Sequence, residues 1–239
     1  MQTEPTLTPR QQELETKYPA ITLIKHPYRL LIIGQSQSGK TTFGVQVIEY
    51  LIPQVDEVFV ASPTFEFQPT WDPIRKKITI SHENPEPLFE ALYKSIANAW
   101  NEDEHKAGTK VPVKRLLVVD DCSYMKVLNQ GNKGTLNGFA YNAVWWNLSI
   151  VCIIHKASNI GAGMKENCDA LALFNVIHKE MKPLFDTFGI TKNYKQFVAM
   201  YHQFIKQKIE RDEDAYPFLF YVLKSSKLYY KLQEQLILE

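Results

Sequence analysis

The residues Gly34-Gln35-Ser36-Gln37-Ser38-Gly39-Lys40-Thr41-Thr42 bring together, in one short run, the groups needed to grip a polyphosphate. They match the spacing G-x-x-x-x-G-K-[ST], in which a tight turn points successive backbone N–H groups inward as an anion nest. A helix opening at the end of that turn adds the positive end of its dipole. Gly34 and Gly39 suit the sharp backbone path, Lys40 supplies a point charge to the β- and γ-phosphates, and the Thr41 hydroxyl is placed to bind Mg²⁺. The setting gives the pattern its weight. The apolar run Leu30-Leu31-Ile32-Ile33 leads in as a buried strand would, and Phe43, Val47, Ile48 and Leu51 follow at helical spacing. The expected ligand is a nucleoside triphosphate, ATP, with Mg²⁺.

A second apolar run, Leu116-Leu117-Val118-Val119, ends in Asp120-Asp121. Paired carboxylates at such a strand end can divide two tasks. Asp120 holds Mg²⁺ through its water shell opposite Thr41, and Asp121 orients and partly deprotonates an attacking water. Alone, the pair also fits a strand that stops in a solvated turn; beside a phosphate loop it reads as Walker B and favours a turning-over ATPase. A third apolar run, Ile150 to Ile154, ends at His155. With that strand between the other two, His155 reaches the γ-phosphate and reports its presence; the alternative is a surface histidine at a strand end. Arg10, Arg29, Arg75, Arg115 and Arg211 are the candidates for a finger reaching a neighbouring subunit, and none stands out by its context.

These groups need elements to carry them. Strands alternate with helices, which implies right-handed crossovers and an α/β fold: a P-loop NTPase with a mostly parallel central sheet and helices on both faces. Ligands in such sheets bind beyond the C-terminal strand ends, where the phosphate loop, Asp120-Asp121 and His155 all fall. Residues 1–20 are polar and proline-punctuated, and predict a mobile N-terminal arm with a short helix at Arg10 to Lys17, ahead of a single domain over 21–239. Ile21 to Ile24 predicts a lead-in strand, Glu57 to Ala61 a second strand, Ile78 to Ile80 a short one, and Pro87 to Trp100 a helix. Asn137 to Asn147 predicts a helix that places Trp145-Trp146 in the core. Leu171 to Phe174 is a further strand, with helices near Pro183 and from Tyr194 to Lys208. Phe218 to Leu223 and Lys227 to Leu232 form a C-terminal antiparallel hairpin around Ser225-Ser226. Between Ser123 and Leu136 lies a Gly-, Asn- and Lys-rich loop; Lys126 and Lys133 there are DNA-contact candidates, or residues of an ordinary surface loop.

The whole chain sets bounds rather than answers. At 239 residues it can bury a sizeable core, and a formal net charge of +1 gives no bulk basic field for nucleic acid. A ring that grips DNA internally needs only local cations, so this excludes little. Cys122, Cys152 and Cys168 lie in or beside apolar runs without C-x-x-C spacing, as free thiols of a reducing compartment do. No run approaches the about 18 apolar residues of a membrane span, and the start lacks a signal-peptide pattern, so neither a membrane segment nor secretion is expected.

Together these motifs resemble the FtsK/HerA superfamily of P-loop ATPases, and within it the viral genome-packaging ATPases of poxviruses, other large DNA viruses and virophages. The resemblance spans roughly residues 25 to 232. It rests on Leu31 through Thr42, Ser62-Pro63-Thr64, Leu116 to Asp121, Asn147-Leu148-Ser149-Ile150 and the Phe218 to Lys227 segment. It implies an added central sensor strand carrying His155, where relatives often have a glutamine-like residue. It also implies a pentameric or hexameric ring that threads double-stranded DNA into a preformed capsid, a capsid-vertex partner, and a setting in the host cytoplasm, the viral factory or the virion. A cellular or plasmid HerA-like translocase and an ATP-gated assembly adaptor are the other readings. One departure concerns the finger: relatives carry an arginine in an Ile-Arg-x-Asn segment, and here the matching run is Met164-Lys165-Glu166-Asn167. Lys165 keeps the charge without the planar fork, so either it acts as a weaker trans cation or the finger lies elsewhere.

Overall fold

The computed structural model describes residues 6–102, 112–122 and 135–237. Lys126 and Lys133, with the rest of the loop after Cys122 up to residue 134, lie outside the described residues. Among the described residues, nine strands form one sheet in the order β3-β2-β4-β5-β1-β6-β7-β8-β9. These are β1 Arg29–Ile33, β2 Glu57–Ala61, β3 Ile80–His82, β4 Arg115–Asp120, β5 Leu148–Ile154, β6 Ala170–Leu173, β7 Leu219–Val222, β8 Lys227–Tyr230 and β9 Glu234–Leu236. The pairings from β3 through β6 are parallel and those from β6 to β9 antiparallel. The three apolar runs become adjacent central strands because β-branched residues buried on both faces tolerate no edge position. In β4 and β5 every residue is buried.

The described helices are α1 Pro9–Lys17, α2 Lys40–Leu51, α3 Pro85–Glu102, α4 Thr135–Asn142, α5 Ala162–Asn167, α6 His178–Phe188, α7 Tyr194–Tyr201 and α8 Gln207–Glu210. Strand alternation sorts the core. Leu31 and Ile33 face the layer of α3, α4, α6 and α7, whereas Leu30 and Ile32 face α1 and α2. The helix α2 lies so close to the sheet that a Cβ at Gly44 would run into the side chain of Ile153 on β5.

Several expectations change. The polar N-terminal stretch is not a free arm from Thr8 onward. Thr8 caps α1 in a capping box with Gln11, Leu14 is buried, Gln11 donates to the Tyr50 carbonyl (3.0 Å), and Arg10 pairs with Glu49 (2.7 Å), so α1 is fastened along α2. The short helix expected at Arg10 to Lys17 is there; average polarity concealed only its docking, which needs one apolar anchor and a good cap. Residues 21–24 form no strand: Pro19–Leu23 is a 3₁₀ turn that buries Ile21 and Ile24, since proline fixes the turn and the run is too short to pair. The helix expected to reach Asn147 ends at Asn142, which leaves Trp145 half-exposed while Trp146 packs edge-on against Phe139 (5.8 Å) and Tyr93 (6.1 Å). The short third strand begins two residues later than the pattern suggested, and β9 extends the hairpin by an edge strand.

One ion pair pins the start of the two strands beside the phosphate loop. Arg29 grips Asp169 through both Nε and Nη2 (3.0 Å each), and the Arg29 and Asp169 side chains are only 11% and 8% exposed. Burial pushes the Asp169 carboxyl up, but the Arg29 hydrogen bonds outweigh it and hold the group below the usual carboxylate range. Asp169→Asn leaves a buried guanidinium uncompensated and should cost about 3–5 kcal/mol in urea unfolding at pH 7. Because the native carboxyl is depressed, its contribution is fully present above the unfolded value of about 4 and is lost as pH falls through the lower folded value; the gap to the variant should narrow as pH drops below about 4. A gap independent of pH would refute the pair's role.

Candidate functional site

Every group singled out for nucleotide chemistry sits at or just beyond the C-terminal ends of the central parallel strands, except Lys165 and the two lysines outside the described residues. The phosphate loop leaves β1 and turns into α2, with Gly39 in the left-handed region (φ 88°) as the residue before the helix. An alanine here would be strained by its backbone alone, and its Cβ would also meet the Tyr216 ring at 3.0 Å. The loop braces itself: Ser38 Oγ donates to the Gln35 carbonyl (2.8 Å), and Gln35 N donates to the Asn175 carbonyl after β6 (2.7 Å). The first amides of α2 open toward the loop's interior.

Lys40 is buried and donates from Nζ to the Gln35 carbonyl at 2.6 Å. Burial lowers its pKa against the pull of Asp120 and Asp121, as expected for an ammonium awaiting anionic oxygens. Asp120 is the mirror case. It is 2% exposed, and burial together with the neighbouring Asp121 charge raises its pKa to about 7. Its oxygens are approached by the hydroxyls of Thr41 and Ser62, each at 3.4 Å. The Lys40 charge pulls the other way without reversing the shift, and Asp120 with Thr41 is a donor set that suits Mg²⁺, which takes one or two protein oxygens and completes its shell with water and phosphate. Among the described residues no cluster of three or more His, Cys, Asp or Glu is placed to hold a metal.

The inserted strand β5 lies between β4 and β1, as expected, and carries His155 to the middle of the site. His155 Nε2 lies 2.7 Å from Asp121 Oδ1, and Nδ1 lies 3.3 Å from the Gly34 carbonyl. The imidazole therefore bridges the second carboxylate and the first residue of the phosphate loop. Asp121 is left-handed (φ 54°), a conformation that aspartate and asparagine tolerate and that turns its side chain out of the strand.

Ser36, Gln37, Lys40, Thr41, Asp120, Asp121 and His155 line one pocket of about 530 Å³, closed on its other side by Thr64, Phe67 and Gln68. A smaller recess of about 320 Å³ continues past Lys40 along Ser38, Gly39 and Thr42 to Tyr216. A larger hollow of about 900 Å³ lies at the far edge among Ile190, Met200, Phe204 and Leu236, away from all of these groups. Sequence reasoning cited Ser62 and Thr64 only as marks of a resemblance and missed Phe67, Gln68 and Tyr216. The position of Ser62 and Thr64 just beyond β2, beside the aspartate strand, was a usable signal; Tyr216 gave none.

Lys165 does not line the pocket. It is half-buried on α5, where burial lowers its pKa and Glu180 opposes that shift. Of the arginines, Arg10, Arg29, Arg75 and Arg115 are held in ion pairs within the chain at 2.7–3.1 Å, whereas Arg211 is 64% exposed and only loosely paired with Glu213 at 3.8 Å. The cysteines are buried and free.

The sequence profile of the family described as Poxvirus A32 protein matches residues 15–219. No curated protein matches the chain significantly. Among solved structures, the chain is similar to the genome packaging NTPase B204 from Sulfolobus turreted icosahedral virus 2 in complex with AMPPCP. That match has 12% identity and TM-score 0.57, and covers 89% of this chain and 99% of that one. The ATP-gammaS complex of the same protein matches with 13% identity and TM-score 0.55, over 87% and 97% of the two chains. The pCW3 conjugation coupling protein TcpA with ATPgS matches with 12% identity and TM-score 0.54, over 83% of this chain and 58% of that one. At these identities the structures speak to the fold, that of P-loop NTPases. Gly39→Ala should cost about 1–3 kcal/mol in thermal unfolding, as a strained left-handed alanine does, and weaken binding of a fluorescent ATP analogue at least tenfold; unchanged binding would show that the loop's path is not what grips the phosphates.

Proposed function

The chain belongs to the poxvirus A32 protein family, and from that premise we propose that it is an ATP-hydrolysing motor that translocates double-stranded DNA to package a viral genome into a preformed capsid. The observation that carries this is the convergence of the phosphate loop, Asp120-Asp121 and His155 on one pocket, with the paired acids required for turnover rather than storage of nucleotide. B204, a genome packaging NTPase, shares the fold over nearly its whole length.

In this reading the amides of Gln35 to Thr42 and the Lys40 ammonium receive the β- and γ-phosphates. Thr41 and Asp120 would hold Mg²⁺, which when bound neutralises charge on the phosphate oxygens. Asp121 orients the attacking water and accepts its proton. His155 fixes the Asp121 carboxylate and, through the Gly34 carbonyl, ties its position to the loop that holds the phosphates, so γ-phosphate and general base sense each other through one ring. The subunits act as a pentameric or hexameric ring, with Lys126 and Lys133 toward the DNA backbone and Lys165 as a cation offered to the neighbouring subunit. The motor works in the host cytoplasm or viral factory, docked on a capsid vertex; no helix among the described residues is long and apolar enough to cross a membrane.

Lys40→Ala should abolish tight ATP binding in calorimetry, and retained affinity would remove the loop from the site. Asp121→Asn keeps the left-handed backbone and should still bind ATP while hydrolysis falls by roughly two or more orders of magnitude, the loss expected with a general base. The wild-type ATPase should rise on adding double-stranded DNA. Absence of turnover at saturating ATP with DNA would sink the motor and leave a nucleotide-gated assembly protein.

A further inference from the structure

We infer that Tyr216 is the platform on which the nucleotide's purine base stacks, and that the recess between Gly39, Thr42 and Tyr216 is the nucleoside subsite. The inference deepens the ATP-binding reading and rests on it. Direction comes first. Asp120, Asp121 and His155 stand at the ends of β4 and β5, so the γ-phosphate end of a bound triphosphate points to that side of β1. The nucleoside must then leave on the opposite side, toward β6 and β7. Tyr216 is there, three residues before β7, whose first residue pairs with the last of β6 (Leu219 with Leu173). The recess it borders runs on from the phosphate pocket along Lys40, Thr41 and Thr42, the order in which a polyphosphate chain would pass from γ- to α-phosphate into the sugar.

The ring is also prepared for the task. It is 55% exposed, yet its near atoms would stand 3.0–3.1 Å from a Cβ at Gly39, so one part touches the loop while the rest remains open. Its position is fixed from both sides. Tyr216 N donates to Asp214 Oδ1 (3.0 Å), and Asp214 is held by the Tyr230 hydroxyl (2.7 Å) and Lys231 Nζ (2.8 Å). On the other side Pro217 restricts the Tyr216 backbone, and Phe218 packs against Phe43 of α2 (4.4 Å) and Phe174 (4.8 Å). A rigid aromatic beside a phosphate nest loses little entropy when a base settles on it.

The test compares ligands with and without a base. Tyr216→Ala should weaken ATP and ADP about tenfold or more, in the range of lost base stacking, and leave inorganic triphosphate binding unchanged; Tyr216→Phe should bind all three like wild type. Equal weakening of triphosphate and ATP would mean the ring only braces the loop, and unchanged ATP affinity would place the base elsewhere; either overturns the proposal. Photolabelling of the wild-type protein with 8-azido-ATP gives a second measurement independent of the variant's folding. Adducts should map to the segment containing Tyr216, and adducts confined elsewhere refute the assignment. A wild-type chain that binds neither ATP nor triphosphate would fail the functional reading itself, a different outcome from either.

Discussion

Two opposite charges buried near each other, Lys40 and Asp120, set the terms for this structure. Lys40 donates to a carbonyl and Asp120 is approached by two hydroxyls at 3.4 Å, so among the described residues their attraction is not backed by a direct ion pair. Leaving a charge underpaired out of water costs several kcal/mol, by the order of such penalties in proteins, and a fold tolerates it only when the surroundings cannot rearrange to relieve it. The parallel pairing of β1, β5 and β4 provides that stiffness: each strand is buried on both faces and registered residue by residue with its neighbour. The Arg29–Asp169 pair at the opposite end of β1 and β6 serves the same purpose, since slippage there would be transmitted along the strand to the loop. In the proposed reading that stiffness keeps Lys40 and Asp120 where phosphate and Mg²⁺ would meet them.

The insertion of β5 has a second effect. Without it β1 and β4 would be neighbours; with it, a side chain is delivered between the loop and the carboxylates. His155 lies within hydrogen-bonding distance of both, and in the proposed reading its two ends would respond to different events, phosphate at one and water activation at the other.

The strands of the central sheet were legible because burial on both faces writes itself as unbroken runs of Leu, Ile and Val, and the loop because its glycine, lysine and threonine serve the ligand and not the fold. The order of the strands was not written locally. Pairing joins residues far apart in sequence, and the central position of β5 followed from resemblance. Ile21 to Ile24 misled because a buried 3₁₀ turn and a short strand have the same apolar composition. The helix at Arg10 to Lys17 was legible, but its docking was not: the contacts of Gln11 with Tyr50 and Arg10 with Glu49 join residues far apart in sequence. Tyr216 was silent for a different reason: its meaning comes from the antiparallel return of β7 beside β6, which brings a loop near the end of the chain against Gly39.

Gly44 fixes what can happen after nucleotide arrives. With no side chain between α2 and Ile153, helix and sheet are in direct apposition, and α2 has no room to travel toward β5 when its N-terminus takes up phosphate. The floor of the site is therefore a fixed reference. Whatever changes with the state of the nucleotide has to be expressed at the rim, where Phe67 stands 80% exposed at the mouth and His155 and Asp121 remain open to solvent. In the proposed reading, a rigid floor makes that rim the part of the site free to report what is bound.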